Sequence, residues 1–233
     1  MENSTVTRSV YFFGNGKADG TREMKTTLGG KGANLAEMTN LGVPVPPGFT
    51  IAASQCVAYL EHGGIADALR DEVGAALDTL QTVSGKRFGD AVNPLLVSVR
   101  SGASVSMPGM METILNLGLN DEAVEGLAKA SGNPRFAYDS YRRFVQMYAD
   151  VVLGVPIAKF EQLLSTKRMT SGVITDSELP AEALQTLVRE YLQLVKAATG
   201  APFPMDPQVQ LWGAIEAVWK SWTLKKAIDY RRV

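Results

Sequence analysis

Gly29, Gly30 and Gly32 surround one long cation, Lys31, within LGGKGANLAEMTNLGVPVPPGFTI, residues 28–51. Without β-carbons, main-chain N–H groups can approach a ligand closely while the lysine ammonium reaches over it, an arrangement that suits a polyphosphate. From Ala33 the residues favour helix, with Leu35, Met38 and Leu41 on one side and Gly42 where a helix hands over to a loop. The glycines are therefore expected to form a loop ahead of a helix N-terminus, where backbone donors and the positive end of the helix dipole converge with Lys31. A glycine-rich turn carrying a solvated lysine would have the same spacing. The Walker phosphate loop is not met, because Lys31 is followed by Gly32 rather than Ser or Thr.

The second stretch with chemical potential is SVRSGASVSMPGMMETILNLG, residues 98–118. Arg100 stands at the end of an expected strand, beside Ser101 and Gly102, small residues that let a guanidinium fork face a ligand. The alternative pairs Arg100 with Glu112 and uses Met107, Met110 and Met111 to fill a core.

These residues need elements to hold them. Val10–Phe13 reads as a strand running into a Gly14-Asn15-Gly16 turn, hence a hairpin. No dinucleotide fingerprint forms there, because Asp19 occupies the third glycine position. The prolines at 44, 46 and 47 exclude helix and lead into a short strand over 49–51. Ser54 is expected to cap a helix ending near His62, the sole histidine and a surface residue by its position, with Gly63-Gly64 as the stop. A helix over 65–83 follows, with Leu69, Val73, Leu77 and Leu80 on one stripe, and then a continuous buried strand over 94–100.

From Asn120 the pattern is helix after helix, over 121–130, 133–153, 156–170 and 180–198, with breaks at Gly132, Gly154 and Gly172. Phe136, Tyr141, Phe144, Tyr148 and Val152 share one expected buried face, while interspersed charges indicate solvated faces elsewhere. Asp206-Pro207 opens a last helix that carries Trp212, Ile215, Trp219 and Trp222 on one side for docking onto the strand-containing region.

With 23 basic against 24 acidic residues, no global field recruits nucleic acid or an anionic membrane. Cys56 is the only cysteine, so no intrachain disulfide forms, and the thiol is expected to pack as a small hydrophobe. MENSTVTRSV lacks the apolar block of a secretory signal and no apolar run approaches the ~18 residues of a membrane span, which points to the cytoplasm.

The two glycine-rich stretches, with NPRFAYDSYRRFVQMYADVVLGV and QLWGAIEAVWKSW, resemble the N-terminal nucleotide-binding domain of the pyruvate phosphate dikinase family along nearly the whole chain. The related phosphoenolpyruvate synthases resemble the first stretch and its Val-Arg-Ser partner, but SMPGMMETILNLG points to the dikinase branch. The resemblance implies an α+β fold, the N-terminal part of an ATP-grasp domain with an inserted all-helical subdomain: residues 1–119 with 205–233, and 120–204. It implies ATP as ligand, with Gly30, Lys31, Gly32 and Arg100 at the phosphates and Gly109 and Met111 by the ribose and adenine. Lys31 and Arg100 would be the catalytic cations.

The family reaction forms a phosphohistidine on a separate domain and passes the phosphoryl group to pyruvate. The family's histidine context is absent here and His62 does not match it. The metal-binding carboxylates belong to a second ATP-grasp half, expected to follow Arg231-Arg232, so Mg2+ is expected in a complete, homodimeric enzyme with no ligands in this chain. Ser104 stands where many members have a basic residue, and Glu112 where aspartate is usual. The chain is accordingly expected to be an N-terminal piece without turnover of its own. The alternatives are a non-catalytic interaction module that kept the fold, or a synthase-like piece.

Overall fold

A computed structural model describes residues 8–102 and 112–231. The elements in chain order are β1 (Val10–Gly14), β2 (Lys17–Ala18), α1 (Lys25–Asn40), β3 (Gly48–Ile51), α2 (Ala53–His62), α3 (Asp67–Ser84), β4 (Arg87–Phe88), β5 (Pro94–Leu95), β6 (Val97–Arg100) and β7 (Thr113–Leu117). There follow α4 (Ala123–Ser131), α5 (Pro134–Val151), α6 (Ile157–Ser171), α7 (Ala181–Thr199), α8 (Pro207–Lys220) and α9 (Lys225–Arg231), with short 3-10 turns at Asp176–Glu178 and Ser221–Thr223. This mixture is α+β. None of the described helices is long and apolar enough to cross a membrane.

Packing divides the described residues into two compact units, one of 8–85, 101–102 and 219–231, the other of 86–100 and 112–218. The sequence-based division fell at 119/120 instead. Packing draws the line elsewhere because Ile114 and Leu117 of β7 are fully buried in the same core as Tyr141 and Phe144 of α5.

In the first unit β1 is the central strand of an antiparallel sheet ordered β2-β1-β3, with Val10 opposite Ile51 and Phe12 opposite Phe49. The hairpin forms where the sequence places it, with Asn15 and Gly16 both at positive φ. The expected stripe of α3 is buried, and α3 packs on β1. The Glu72 carboxylate of α3 accepts from the N–H groups of Ser9 (2.9 Å) and Val10 (3.0 Å), fixing where β1 begins. Helix α1 ends on Gly42 at positive φ; the Gly42 N–H donates to Thr39 O and the Val43 N–H to Met38 O, both 3.0 Å, which satisfies its last carbonyls. Burial pushes the Cys56 thiol up to about 11, in keeping with a packed small hydrophobe. Helix α2 starts after Ala52, so Ser54 is exposed within its first turn and does not cap it. The ring of Trp219 lies 5.2 Å from that of Tyr59 of α2, so the end of α8 packs within this strand-containing unit.

In the second unit the run over 94–100 is not one buried strand. Its first part, β5, pairs parallel with β4, while β6 pairs antiparallel with β7 and alternates in burial, with a register shift between Val97 and Val99. Two different pairing partners divide it. Helix α5 forms the spine: Asn133 Oδ1 accepts from Phe136 N at its N-cap (3.0 Å), and Tyr141, Phe144 and Tyr148 are buried. Phe136 is exposed and falls outside that face. Arg142 is also an exception, buried against Asp139 Oδ1 at 2.7 Å although charges in these helices read as solvated. Along α8 the buried apolar positions are Leu211, Ala214, Ile215, Val218 and Trp219; Trp212 is only partly buried and Trp222 lies in the following 3-10 turn.

Gln210 joins the connector, β7 and α8. Its buried amide accepts from Gly118 N (3.0 Å) and donates to Leu119 O and Pro204 O (both 2.9 Å). Gln210→Leu leaves these backbone groups unpaired and is expected to lower stability by about 3 kcal/mol in urea unfolding. A second expectation concerns alkaline pH. Burial pushes the phenols of Tyr138 and Tyr148 up to about 12, and raises those of Tyr141 and Tyr191 as well. The unfolded chain loses these protons near the ordinary tyrosine pKa of about 10 while the folded chain keeps them, so unfolding is favoured as pH rises. The urea midpoint is expected to hold below pH 10 and fall as pH climbs toward 12, with a shallower fall in Tyr141→Phe.

Candidate functional site

The cationic stretch lies inside α1 and not ahead of it. Gly29, at φ 69° and ψ 171°, breaks the helical course, so a short turn through Leu28 is followed by a second helical segment that restarts at Gly30. This region of backbone space is open essentially to glycine alone. Gly30, Lys31 and Gly32 therefore form the first turn of the restarted segment, a correction to the expected loop. A helix that restarts has a fresh first turn, whose N–H groups point out of its N-terminal end.

Packing holds the restart in place. Leu28 and Ala33 are buried on either side of it, while Lys31 is exposed. A β-carbon on Gly32 would lie 2.8 Å from Thr50 Cγ2 and 2.9 Å from Thr50 Oγ1, so this turn rests on β3 with no room for a side chain. A β-carbon on Gly29 would overlap the carbonyl of Gly102, and one on Gly102 would lie 3.0 Å from Leu28 O. The two glycine-bearing stretches, far apart in sequence, thus meet backbone to backbone at Leu28–Gly29 and Gly102.

Arg100 is the last residue of β6, opposite Thr113 of β7, and is exposed. Among the described residues neither it nor Lys31 joins an ion pair. Ser101 is buried, and among the described residues its hydroxyl has no hydrogen-bond partner. Gly109 and Met111, with Ser104, Met107 and Met110, lie outside the described residues. The sequence reading missed Thr50 as the seat of Gly32, and it treated Ser101 only as a small neighbour of Arg100. A threonine on a short strand carries no local signal of its partner. A serine between Arg100 and Gly102 does mark itself as a polar residue in a confined place. Among the described residues no three His, Cys, Asp or Glu side chains converge on a point that could hold a metal ion.

The chain matches the family model described as pyruvate phosphate dikinase, AMP/ATP-binding domain, over residues 25–85 and 67–233. It is 51% identical over 225 residues to the pyruvate, phosphate dikinase of Rhizobium meliloti (strain 1021), a match covering 96% of this chain and 25% of that protein. With the pyruvate, phosphate dikinase of Giardia intestinalis the identity is 52% over 228 residues, 97% of this chain and 26% of the relative. A plant relative, the chloroplastic pyruvate, phosphate dikinase of Mesembryanthemum crystallinum, is 48% identical over 99% of this chain and 24% of its own length. The chain therefore spans about a quarter of the length of these relatives.

Gly29→Ala must accept positive φ and a backbone overlap together, so it is expected to cost about 3 kcal/mol or more and to lower the thermal midpoint markedly. A variant melting with the parent would show that Leu28–Gly29 does not rest on Gly102. The matched residues include Gly29, Lys31, Arg100 and Gly102 and extend through position 233, and the chain belongs to the pyruvate phosphate dikinase AMP/ATP-binding domain family.

Proposed function

We propose that this chain binds ATP through the restarted turn of α1, with the Gly30, Lys31 and Gly32 backbone and the Lys31 ammonium on the phosphates and Arg100 as a second phosphate cation. The observation that carries the reading is the glycine-only break at Gly29, which turns one helix into two and sets an exposed lysine in the first turn of the second. That turn carries a cation and no carboxylate. A cation at the positive end of a helix is unfavourable by itself, and becomes favourable when a polyanion lies between the two.

The frame of this site is the N-terminal part of an ATP-grasp domain into which a helical subdomain, built on the helices between 120 and 204, is inserted. The complete protein converts ATP, phosphate and pyruvate to AMP, pyrophosphate and phosphoenolpyruvate by way of a phosphohistidine on another domain. This chain supplies nucleotide binding and orientation and has no turnover alone. Lys31 and Arg100 oppose charge as it gathers on the transferring phosphoryl group, which is where positioned cations accelerate such reactions. Mg2+ neutralises further charge when bound to the complete enzyme, and no residue of this chain is assigned to it.

Calorimetric titration with ATP tests the reading. Lys31→Ala and Arg100→Ala are each expected to weaken binding by about 2 kcal/mol, roughly 30-fold. Indifference of the parent chain to ATP, or parental affinity in Lys31→Ala, would overturn it.

A further inference from the structure

Among the described residues two buried side-chain oxygens have no hydrogen-bond partner, Ser101 Oγ and Asp176 Oδ1. The second has an evident reason, since Arg168 Nη1 stands 3.3 Å from it and supplies charge if not good geometry. Ser101 takes part in no ion pair of that kind. The residue is 4% exposed and its hydroxyl is shut off from solvent. Leaving a buried hydroxyl unpaired is costly, and an alanine would fill nearly the same space without that cost. A serine kept there points to a partner that comes from outside the folded chain.

Its position suggests which partner. Ser101 precedes Gly102, whose carbonyl occupies the space a Gly29 β-carbon would need, at the break where α1 restarts with Lys31 exposed two residues on. An anion received by that first turn would lie close to the 101–102 backbone, and a hydroxyl there is suited to donate to it. We infer that Ser101 is a further nucleotide-binding residue, whose hydroxyl, unpaired among the described residues, donates to a phosphate oxygen of the bound nucleotide. The inference rests on the ATP-binding reading above and extends it. Because the hydroxyl is covered in the free chain, nucleotide binding must shift the 101–102 backbone or whatever covers it. Ser101 therefore couples occupancy of the turn to the backbone that follows Arg100.

The test compares the full chain with Ser101→Ala and Lys31→Ala, each titrated with ATP and with AMP and each melted without nucleotide. Ser101→Ala is expected to weaken ATP binding about five- to tenfold while its nucleotide-free melting point stays level or rises, since no bond is lost in the free form. A loss confined to ATP would place the contact on the outer phosphates, and an equal loss with AMP on the α-phosphate; either supports the inference. Parental ATP affinity in Ser101→Ala, with Lys31→Ala impaired, would overturn the role of Ser101 and leave the ATP site standing. A fall of several degrees in the nucleotide-free melting point of Ser101→Ala would also overturn it, by showing that the hydroxyl already has a structural partner. Absence of ATP binding by the parent chain would overturn both readings.

Discussion

The contact on which the rest depends is one of backbone against backbone, Leu28–Gly29 resting on Gly102 with no β-carbon between them. Side-chain contacts can be repacked by exchanging one apolar residue for another, but this one has no such freedom, because any side chain at position 29 meets a carbonyl. Two consequences follow from the same constraint. The break in α1 is fixed at Gly29, which makes Gly30 the start of a new helical segment, and residues about 70 positions later are held against it. A long-range contact therefore decides the local conformation of the lysine turn, and it explains why a helix restarts where a loop was expected.

The second unit is built on a different principle, the satisfaction of polar groups within an aromatic interior. Tyr141, Tyr148 and Tyr191 are almost wholly buried, and each hydroxyl has a destination: Asp121 Oδ1 at 2.9 Å, Val209 O at 3.4 Å, and Phe160 O at 3.1 Å. Tyrosine adds large apolar area but requires a partner at its tip, so these bonds select which loops and helices may neighbour α5 and α7. Gln210 does the same at the end of β7, where one amide meets three backbone groups. Specific polar pairing inside an apolar core raises the cost of every alternative packing, because an altered neighbour leaves a buried group unpaired.

Where the determinants were local, the sequence was legible. The apolar stripe of α3, the glycine stops after α2, α4 and α6, and the Asn133 cap of α5 all depend on residues within a few positions of one another. The family, too, could be read from two motifs and two helical stretches. What could not be read was decided at a distance. The run over 94–100 is divided because its halves pair with strands before and after it, a choice invisible in its own apolar composition. Arg142 reads as a solvated charge until α5 brings it against Asp139 and the 3-10 turn supplies Asp176 at 3.6 Å. Of the candidate site, the residue types were legible and the conformation was not, because the backbone angle of Gly29 follows from a neighbour far along the chain.

The electrostatics of α1 give that conformation its sense. Both of its segments begin without a carboxylate in the first turn, the first with Lys25 and the second with Lys31, although acidic residues are what stabilise the positive end of a helix. A sequence shaped only for helix stability would place Asp or Glu at these positions, as α3 does with Asp67 and α7 with Glu182. Lys31 cannot be accounted for as a buried structural cation either, since it is exposed and makes no ion pair among the described residues. The small loss accepted in the free chain becomes a gain when a polyanion arrives, because the dipole and the ammonium then act on the same charge instead of on each other. A ligand of opposite sign is the simplest condition under which this arrangement is favourable, and the glycine break is what brings its two sources of positive potential to one turn.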